Sequence, residues 1–221
     1  DWDPPAGERE LLRALELNPG DASARMWYAV FLCVFKEEGE RALAEALRAR
    51  DLDPLSSLVN ATLAWVYLWL DEYERADEQA RATLEMHPDS LHAYNILGLA
   101  ALARGHPDQA VAIMEKAAAM SRDSFTLAFL ATACGFAGQP ERALTLEKEL
   151  LERAEREYVV PANLACVYIG LGQKDKAFHW LEKAYAERVG QLFWIKVNPV
   201  CDRLRDDPRF QNLLRRIGLP P

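Results

Sequence analysis

Apolar residues recur along this chain at spacings of three and four, while strict alternation of apolar and polar residues is almost absent. The pattern is clearest in residues 58–70 (LVNATLAWVYLWL) and 72–86 (EYERADEQARATLEM). Such spacing puts the apolar side chains on one face of an α-helix. The sequence therefore predicts an all-α protein assembled from amphipathic helices.

Small residues repeat within these helices at intervals of 33 to 35 positions. One series lies inside the more apolar segments and consists of Ala29, Ala64, Gly98, Ala131 and Ala165. A second series lies inside the following, more polar segments and consists of Ala42, Ala76, Ala110, Ala143 and Ala177. Two series in constant phase indicate a repeated pair of helices that cross where only a small side chain fits.

The breaks between the segments have the chemistry of helix ends. Gly105, Gly138 and Gly172 follow the first helix of their units, and we expect them to end it with a positive φ. Pro-containing segments such as NPGD, DPLS and HPDS separate one unit from the next. The five complete units are expected at 22–54, 57–88, 91–122, 124–156 and 158–189.

Both ends of the array depart from the repeat. Residues 5–19 match only a second helix, so we expect a half repeat whose first helix, together with an upstream effector domain, precedes this segment. Residues 190–221 are expected to cap the last apolar face. Their terminal helix should have Asp207 as its N-cap, Pro208 as its first residue and Gly218 as its stop.

The segments YNILGLAALARG (94–105) and LACVYIGLGQKDKAFHWLEKAY (164–185) resemble the tetratricopeptide repeat. The resemblance extends over about residues 5–189, with one extra residue near Glu37 and non-proline residues at Arg122 and Val189. It implies a right-handed α-solenoid of five helix-turn-helix repeats, with an N-terminal half repeat and a C-terminal capping helix. The tail from residue 181 onward also resembles repeat regions of bacterial signalling proteins, including winged-helix transcriptional regulators and serine/threonine kinases.

Composition and charge remove several classes of function. The chain has 26 basic and 34 acidic residues, a net charge of −8, which disfavours contact with nucleic-acid phosphates. We find no apolar stretch long enough to cross a membrane. The four cysteines are widely scattered, which indicates reduced thiols and a cytoplasmic protein.

Residues that could carry chemistry do not form a catalytic or metal-binding pattern. His87, His92, His106 and His179 make no HExxH motif and no cluster with cysteine. The segment GLGQKDK (170–176) lacks the glycines of a phosphate loop and follows a helix instead of a strand. We therefore expect a protein that is not an enzyme and needs no metal or cofactor.

First helices of such repeats line the concave face of the superhelix, and none of the positions that the repeat register assigns to this face is charged. An uncharged concave face suits an amphipathic helix or an apolar peptide, held by buried aromatic anchors. The occupant could equally be the upstream domain of the same chain. The expected groove residues are Met26, Val30, Leu58, Trp65, Trp69, His92, Asn95, Leu99, Leu102, Phe125 and Phe136.

Three other interpretations of the same residues stay open. The groove could be a small-ligand sensor in which Trp65, Trp69, His92 and Asn95 hold an apolar metabolite. The chain could be a self-associating scaffold, a homodimer formed through the half repeat at residues 5–19. The apolar positions could also simply fill the interior of a tightly wound superhelix.

Overall fold

The computed structural model describes residues 3–219, which form an all-α superhelix of antiparallel helix pairs without a β-strand in that range. The α-helices are α1 (Pro4–Leu17), α2 (Ala22–Phe31), α3 (Gly39–Leu52), α4 (Ser57–Trp69), α5 (Tyr73–Met86), α6 (Leu91–Ala103), α7 (Pro107–Met120), α8 (Ser124–Phe136), α9 (Pro140–Ala154), α10 (Pro161–Gly170), α11 (Lys174–Ala186) and α12 (Pro208–Arg216). Within that range, no helix has the length and apolar composition needed to cross a membrane.

The first helices of successive pairs begin in the same way. In four of them a side-chain oxygen accepts a hydrogen bond, 2.9–3.4 Å long, from the backbone N–H three residues later. These N-cap residues are Asp21, Ser56, Ser90 and Asp123. Because an N-cap satisfies a donor that the helix leaves unpaired, the repeated cap fixes where each pair starts.

The turn inside each helix pair contains one residue with positive φ. In three pairs it is Gly105, Gly138 or Gly172, with φ of 77°, 68° and 71°, so the predicted helix stops are confirmed. In the first two pairs Glu37 and Asp71 take the same place, with φ of 56° and 60°. A side chain in this conformation costs about 1–2 kcal/mol, so the packing around these two turns must hold the strain.

The extra residue near Glu37 is absorbed within a helix. Helix α2 continues as a π-helical turn, Leu32–Lys36, in which the backbone N–H of Glu37 donates to the carbonyl of Leu32. A π turn contains one residue more than an α turn. The following helix therefore starts in register with the rest of the array.

The small-residue series lie at helix crossings, as predicted. Every alanine of both series is fully buried. At Gly98, an added Cβ would overlap the side chain of Met114 on α7, so this methionine fills the crossing of α6 and α7. The crossing is tight because a neighbouring side chain has taken the space that a larger residue would need.

The C-terminal region does more than cover the last pair. Two 3₁₀ helices, Gly190–Lys196 and Pro199–Leu204, run into the concave side of the array, and we call residues 190–206 the inward segment. Helix α12 follows and packs against α11, where Arg209 and Arg216 pair with Asp175 and Glu182 at 2.8 Å.

The predicted ends of the terminal helix are confirmed. The carboxylate of Asp207 accepts a hydrogen bond from the backbone N–H of Arg209, and Pro208 opens the helix. Gly218 has a φ of 78° just after its last turn. Residues 220 and 221 of the predicted capping region lie outside the described range.

Candidate functional site

The inward segment places a tryptophan against the concave face of α4. Trp65 and Trp69 lie one helical turn apart, with ring centroids separated by 5.7 Å. The ring of Trp194 lies 6.5 Å from Trp65 and 6.4 Å from Trp69. Three indoles thus meet in the groove, and one of them comes from the far end of the chain.

Two further contacts tie the inward segment to the first repeat. Phe193 meets the edge of Phe35 at 4.7 Å between ring centroids. Lys196 forms an ion pair with Glu37, a residue 159 positions earlier. The chain therefore closes back on its own N-terminal repeats instead of ending as an open solenoid.

Arg203 attaches the inward segment to the C-terminal end of α10. Its guanidinium donates hydrogen bonds to the carbonyls of Ile169, at 3.3 Å, and Gly170, at 3.0 Å. It also lies 3.8 Å from the ring centroid of Phe136. A helix leaves its last carbonyls unpaired and partly negative, so a cation is well placed there.

Burial shows that the inward segment belongs to the folded core. Leu192, Ile195, Val200, Cys201 and Leu204 are each at most 5% exposed. Burying an apolar side chain contributes about 1.5–3 kcal/mol, so the five together contribute on the order of 10 kcal/mol. A peptide that displaced this segment would have to offset that contribution, and the groove is therefore closed along much of its length.

What stays open is a cavity of about 290 Å³ at the mouth of the groove. Its walls are mostly apolar and carry no Asp, Glu, Lys or Arg. The residues that line it are Trp27, Val30, Leu58, Ala61, Thr62, Trp65, Trp69, His92, Phe125, Gln191 and Trp194. Six predicted groove residues lie on it, namely Val30, Leu58, Trp65, Trp69, His92 and Phe125.

The rim of the cavity carries two large apolar side chains that face solvent. Trp27 is 50% exposed and Leu58 is 47% exposed. Thr62 and His92 supply polar atoms, and the Thr62 hydroxyl donates to the carbonyl of Leu58 at 2.8 Å. An apolar wall with a few polar groups is typical of a site that receives an apolar partner group.

The remaining predicted groove residues do not line this cavity. Met26 is only 2% exposed and packs in a separate cluster with Ala49 and Val59. Leu99 is fully buried, and Leu102 packs against the same core. Phe136 is covered by Arg203.

Asn95 is fully buried, and neither its Nδ2 nor its Oδ1 has a hydrogen-bond partner among the described residues. Most buried side-chain amides are paired, so this residue is exceptional in the core of the array. It stands apart from the cavity, whose lining does not include it.

Five lining residues are absent from the predicted groove set, namely Trp27, Ala61, Thr62, Gln191 and Trp194. The last two belong to the inward segment, whose path into the groove was not expected. The available signal was the apolar run LFWI at residues 192–195. It lies after the last repeat, so the repeat pattern does not say which surface buries it.

The cysteines offer no reactive thiolate. Burial raises the pKa of the Cys33 and Cys166 thiols to about 12. It also raises the pKa of Cys134 and, well above the usual value, that of Cys201. Since the thiolate is the nucleophilic form, all four thiols are poor nucleophiles near neutral pH.

Helix α1 uses part of its apolar face within the chain. Leu11 and Leu15 pack against the core, whereas Leu12 is 40% exposed and Leu17 is 71% exposed. The expected dimer through this half repeat stays a prediction.

Comparison with known proteins agrees with this architecture. Residues 90–125 and 162–187 match family models described as tetratricopeptide repeat. No curated protein sequence matches the chain.

Three solved structures with a similar fold are distant from this chain in sequence. TTC0263, a thermophilic TPR protein of Thermus thermophilus, is 20% identical with a TM-score of 0.60, over 81% of this chain and 98% of that one. PilF of Pseudomonas aeruginosa is 18% identical with a TM-score of 0.57, over 87% and 88%. The Cut9–Hcn1 structure from the APC/C is 14% identical with a TM-score of 0.64, over 98% of this chain and 46% of that one.

Proposed function

Because this chain is a tetratricopeptide-repeat array, we propose that it is a non-catalytic interaction module that binds a protein partner at the mouth of its groove. The partner inserts one large apolar side chain into the cavity between Trp65, Trp69 and Trp194. Such a partner is a peptide, an amphipathic helix or an upstream domain of the same chain.

The observation that carries this proposal is the aromatic cavity with its exposed rim. Binding hot spots are enriched in aromatic residues and lie in pockets that exclude water. Here the walls are apolar, while Trp27 and Leu58 leave apolar surface in solvent beside the opening. A partner that covers the rim and fills the cavity removes the apolar walls and the exposed surface of these two side chains from water.

The lining of the cavity favours a side-chain anchor over a free ligand. Its volume of about 290 Å³ is near the lower end of the range of about 300–1,000 Å³ for small-molecule pockets, so the polar contacts decide between the two. Asn95, which the ligand-sensor hypothesis needs as a polar contact, does not line it. A small-ligand sensor is therefore the weaker candidate.

The location of binding differs from the full-length groove expected from sequence. The inward segment already fills the concave face beyond Trp194, so the partner docks at the mouth. A regulatory role in a cytoplasmic signalling protein fits the resemblance of the tail and the four unpaired thiols, which suit a reducing compartment.

The test uses peptides selected from a random phage-displayed library against the wild-type protein. Synthetic copies are titrated by calorimetry into the wild type, Leu58→Glu and Leu144→Glu. Leu58 lies in the first turn of α4, where a carboxylate is compatible with the helix, so the fold should persist. Leu144 is 41% exposed on α9 and is the matched control.

We expect Leu58→Glu to weaken binding at least tenfold, because it places a charge on an apolar rim, and Leu144→Glu to leave it unchanged. Equal affinity for all three proteins would show that the cavity is not the binding site. Circular dichroism and melting curves confirm that both variants fold.

A further inference from the structure

Exposed apolar side chains recur along one edge of the array. The last residue of each of four successive second helices is a leucine or a methionine in solvent: Leu17, Leu52, Met86 and Met120. Their exposed fractions are 71%, 47%, 42% and 45%. They follow the repeat period, so they form a regular row at the loops that join one pair to the next.

The row is continuous with the rim of the cavity. Leu55, 72% exposed, follows Leu52 in the loop before α4, and Leu58 begins the cavity wall. The next loop is bound directly to this one, since Nε2 of His87 lies 2.8 Å from the carbonyl oxygen of Leu55. These contacts place one apolar surface beside the opening. We call it the loop edge, and it consists of Leu17, Leu52, Leu55, Met86 and Met120.

Among residues 50–92, the charged side chains at the loop edge that lack an ion pair are all acidic. Asp53, Glu85 and Asp89 are exposed, and within the described range none of them forms an ion pair. The arginines of residues 50–92 are already paired with acidic side chains, among them Arg50 with Asp51 and Arg81 with Asp77. The loop edge therefore combines apolar contact area with carboxylates that have no internal counter-charge.

We propose that the loop edge docks a basic amphipathic helix, whose apolar face covers the row of leucines and methionines while its lysines or arginines pair with the free carboxylates. A helix fits because it satisfies its own backbone hydrogen bonds, and the described residues offer no strand edge to an extended peptide. The inference rests on the proposed function, since the same helix supplies the side chain that enters the cavity.

The probes are two synthetic 20-residue helices with an identical leucine and tryptophan face. One carries lysine and the other glutamate on its polar face, and both are titrated by fluorescence anisotropy at low and high salt. We expect the lysine peptide to bind at least tenfold more tightly than the glutamate peptide, with an advantage that shrinks in high salt.

Two triple variants separate the loop edge from the overall charge of the protein. Asp53→Asn, Glu85→Gln and Asp89→Asn together should weaken the lysine peptide about tenfold. The control triple removes three exposed carboxylates that lie elsewhere and form no ion pair among the described residues: Glu10→Gln, Glu78→Gln and Asp206→Asn. It should leave the affinity within twofold of the wild type.

Each other outcome overturns the inference. Equal weakening by both triples would show attraction to net charge only. Equal binding of both peptides, abolished by Leu58→Glu, would support the cavity as an interaction site and reject a basic partner. No binding by either peptide would reject the loop edge as a helix site, while the selected peptides still decide the proposed function.

Discussion

At one end of the groove α8 and α10 meet through their backbones, and at the other end α4 presents two tryptophans. A Cβ added to Gly135 would lie 2.6 Å from the carbonyl carbon of Gly170, and one added to Gly170 would lie 2.6 Å from the carbonyl oxygen of Thr132. Trp69 occupies the repeat position that corresponds to Gly170. The same repeat position therefore carries a glycine in one unit and a tryptophan in another.

This difference shows how side-chain size sets the shape of the concave face. Where both helices have glycine, neighbouring first helices approach until no groove is left between them. Where tryptophans project, space stays between the walls, and the inward segment and the cavity occupy it. The position of the candidate site follows from these inner residues more than from the repeat pattern itself.

The largest effect should come from filling the glycine contact. We expect Gly170→Leu to lower the free energy of unfolding by about 3 kcal/mol or more, because the new side chain meets backbone that can only move with its helix. Gly190→Leu is the control, since a Cβ there meets nothing within 4 Å. Urea unfolding measures both variants, and a loss as large for Gly190→Leu would contradict the packing argument.

The second largest effect concerns Trp194, which the inward segment places against Trp65 and Trp69. We expect Trp194→Ala to cost about 2 kcal/mol of stability, because it removes buried area and two aromatic contacts from a half-buried residue. Trp27→Ala, at a residue 50% exposed on the rim, should cost less than about 1 kcal/mol.

Urea unfolding of these two variants also tests whether the array is closed. If Trp194→Ala is no more destabilising than Trp27→Ala, the inward segment does not hold the two ends of the chain together. A loss confined to Trp194→Ala shows that contact between distant repeats contributes to the stability of the whole, unlike in an open solenoid, where each repeat contacts only its neighbours.

The repeating part of the molecule was predictable from sequence because its signals are local. Helix ends at Gly105 and Asp207 follow from turn and capping chemistry within a few residues. The inward segment was not, because Trp194 is placed by contacts with Trp65 and Trp69, about 130 positions earlier. Of the predicted groove residues, Leu58 lies at the mouth and Met26 faces the core, and binding at the mouth stays a prediction.

The smallest expected effect is electrostatic and concerns the helix that follows the inward segment. The side chain and backbone N–H of Arg209 hold the pKa of Asp207 at about 2, below the ordinary 3.8. Because the folded value is the lower one, the carboxylate stabilises the fold above about pH 4, and this contribution disappears as the pH falls towards 2.

Asp207→Asn keeps a capping side chain but removes the charge. Its stability should fall below that of the wild type at pH 6 and match it near pH 2, as measured by urea unfolding across this range. Asp206→Asn removes an exposed neighbouring charge as the control. A deficit for Asp207→Asn that stays constant down to pH 2 would mean that the hydrogen-bond geometry of the cap, and not its charge, anchors α12 beside the closed end of the groove.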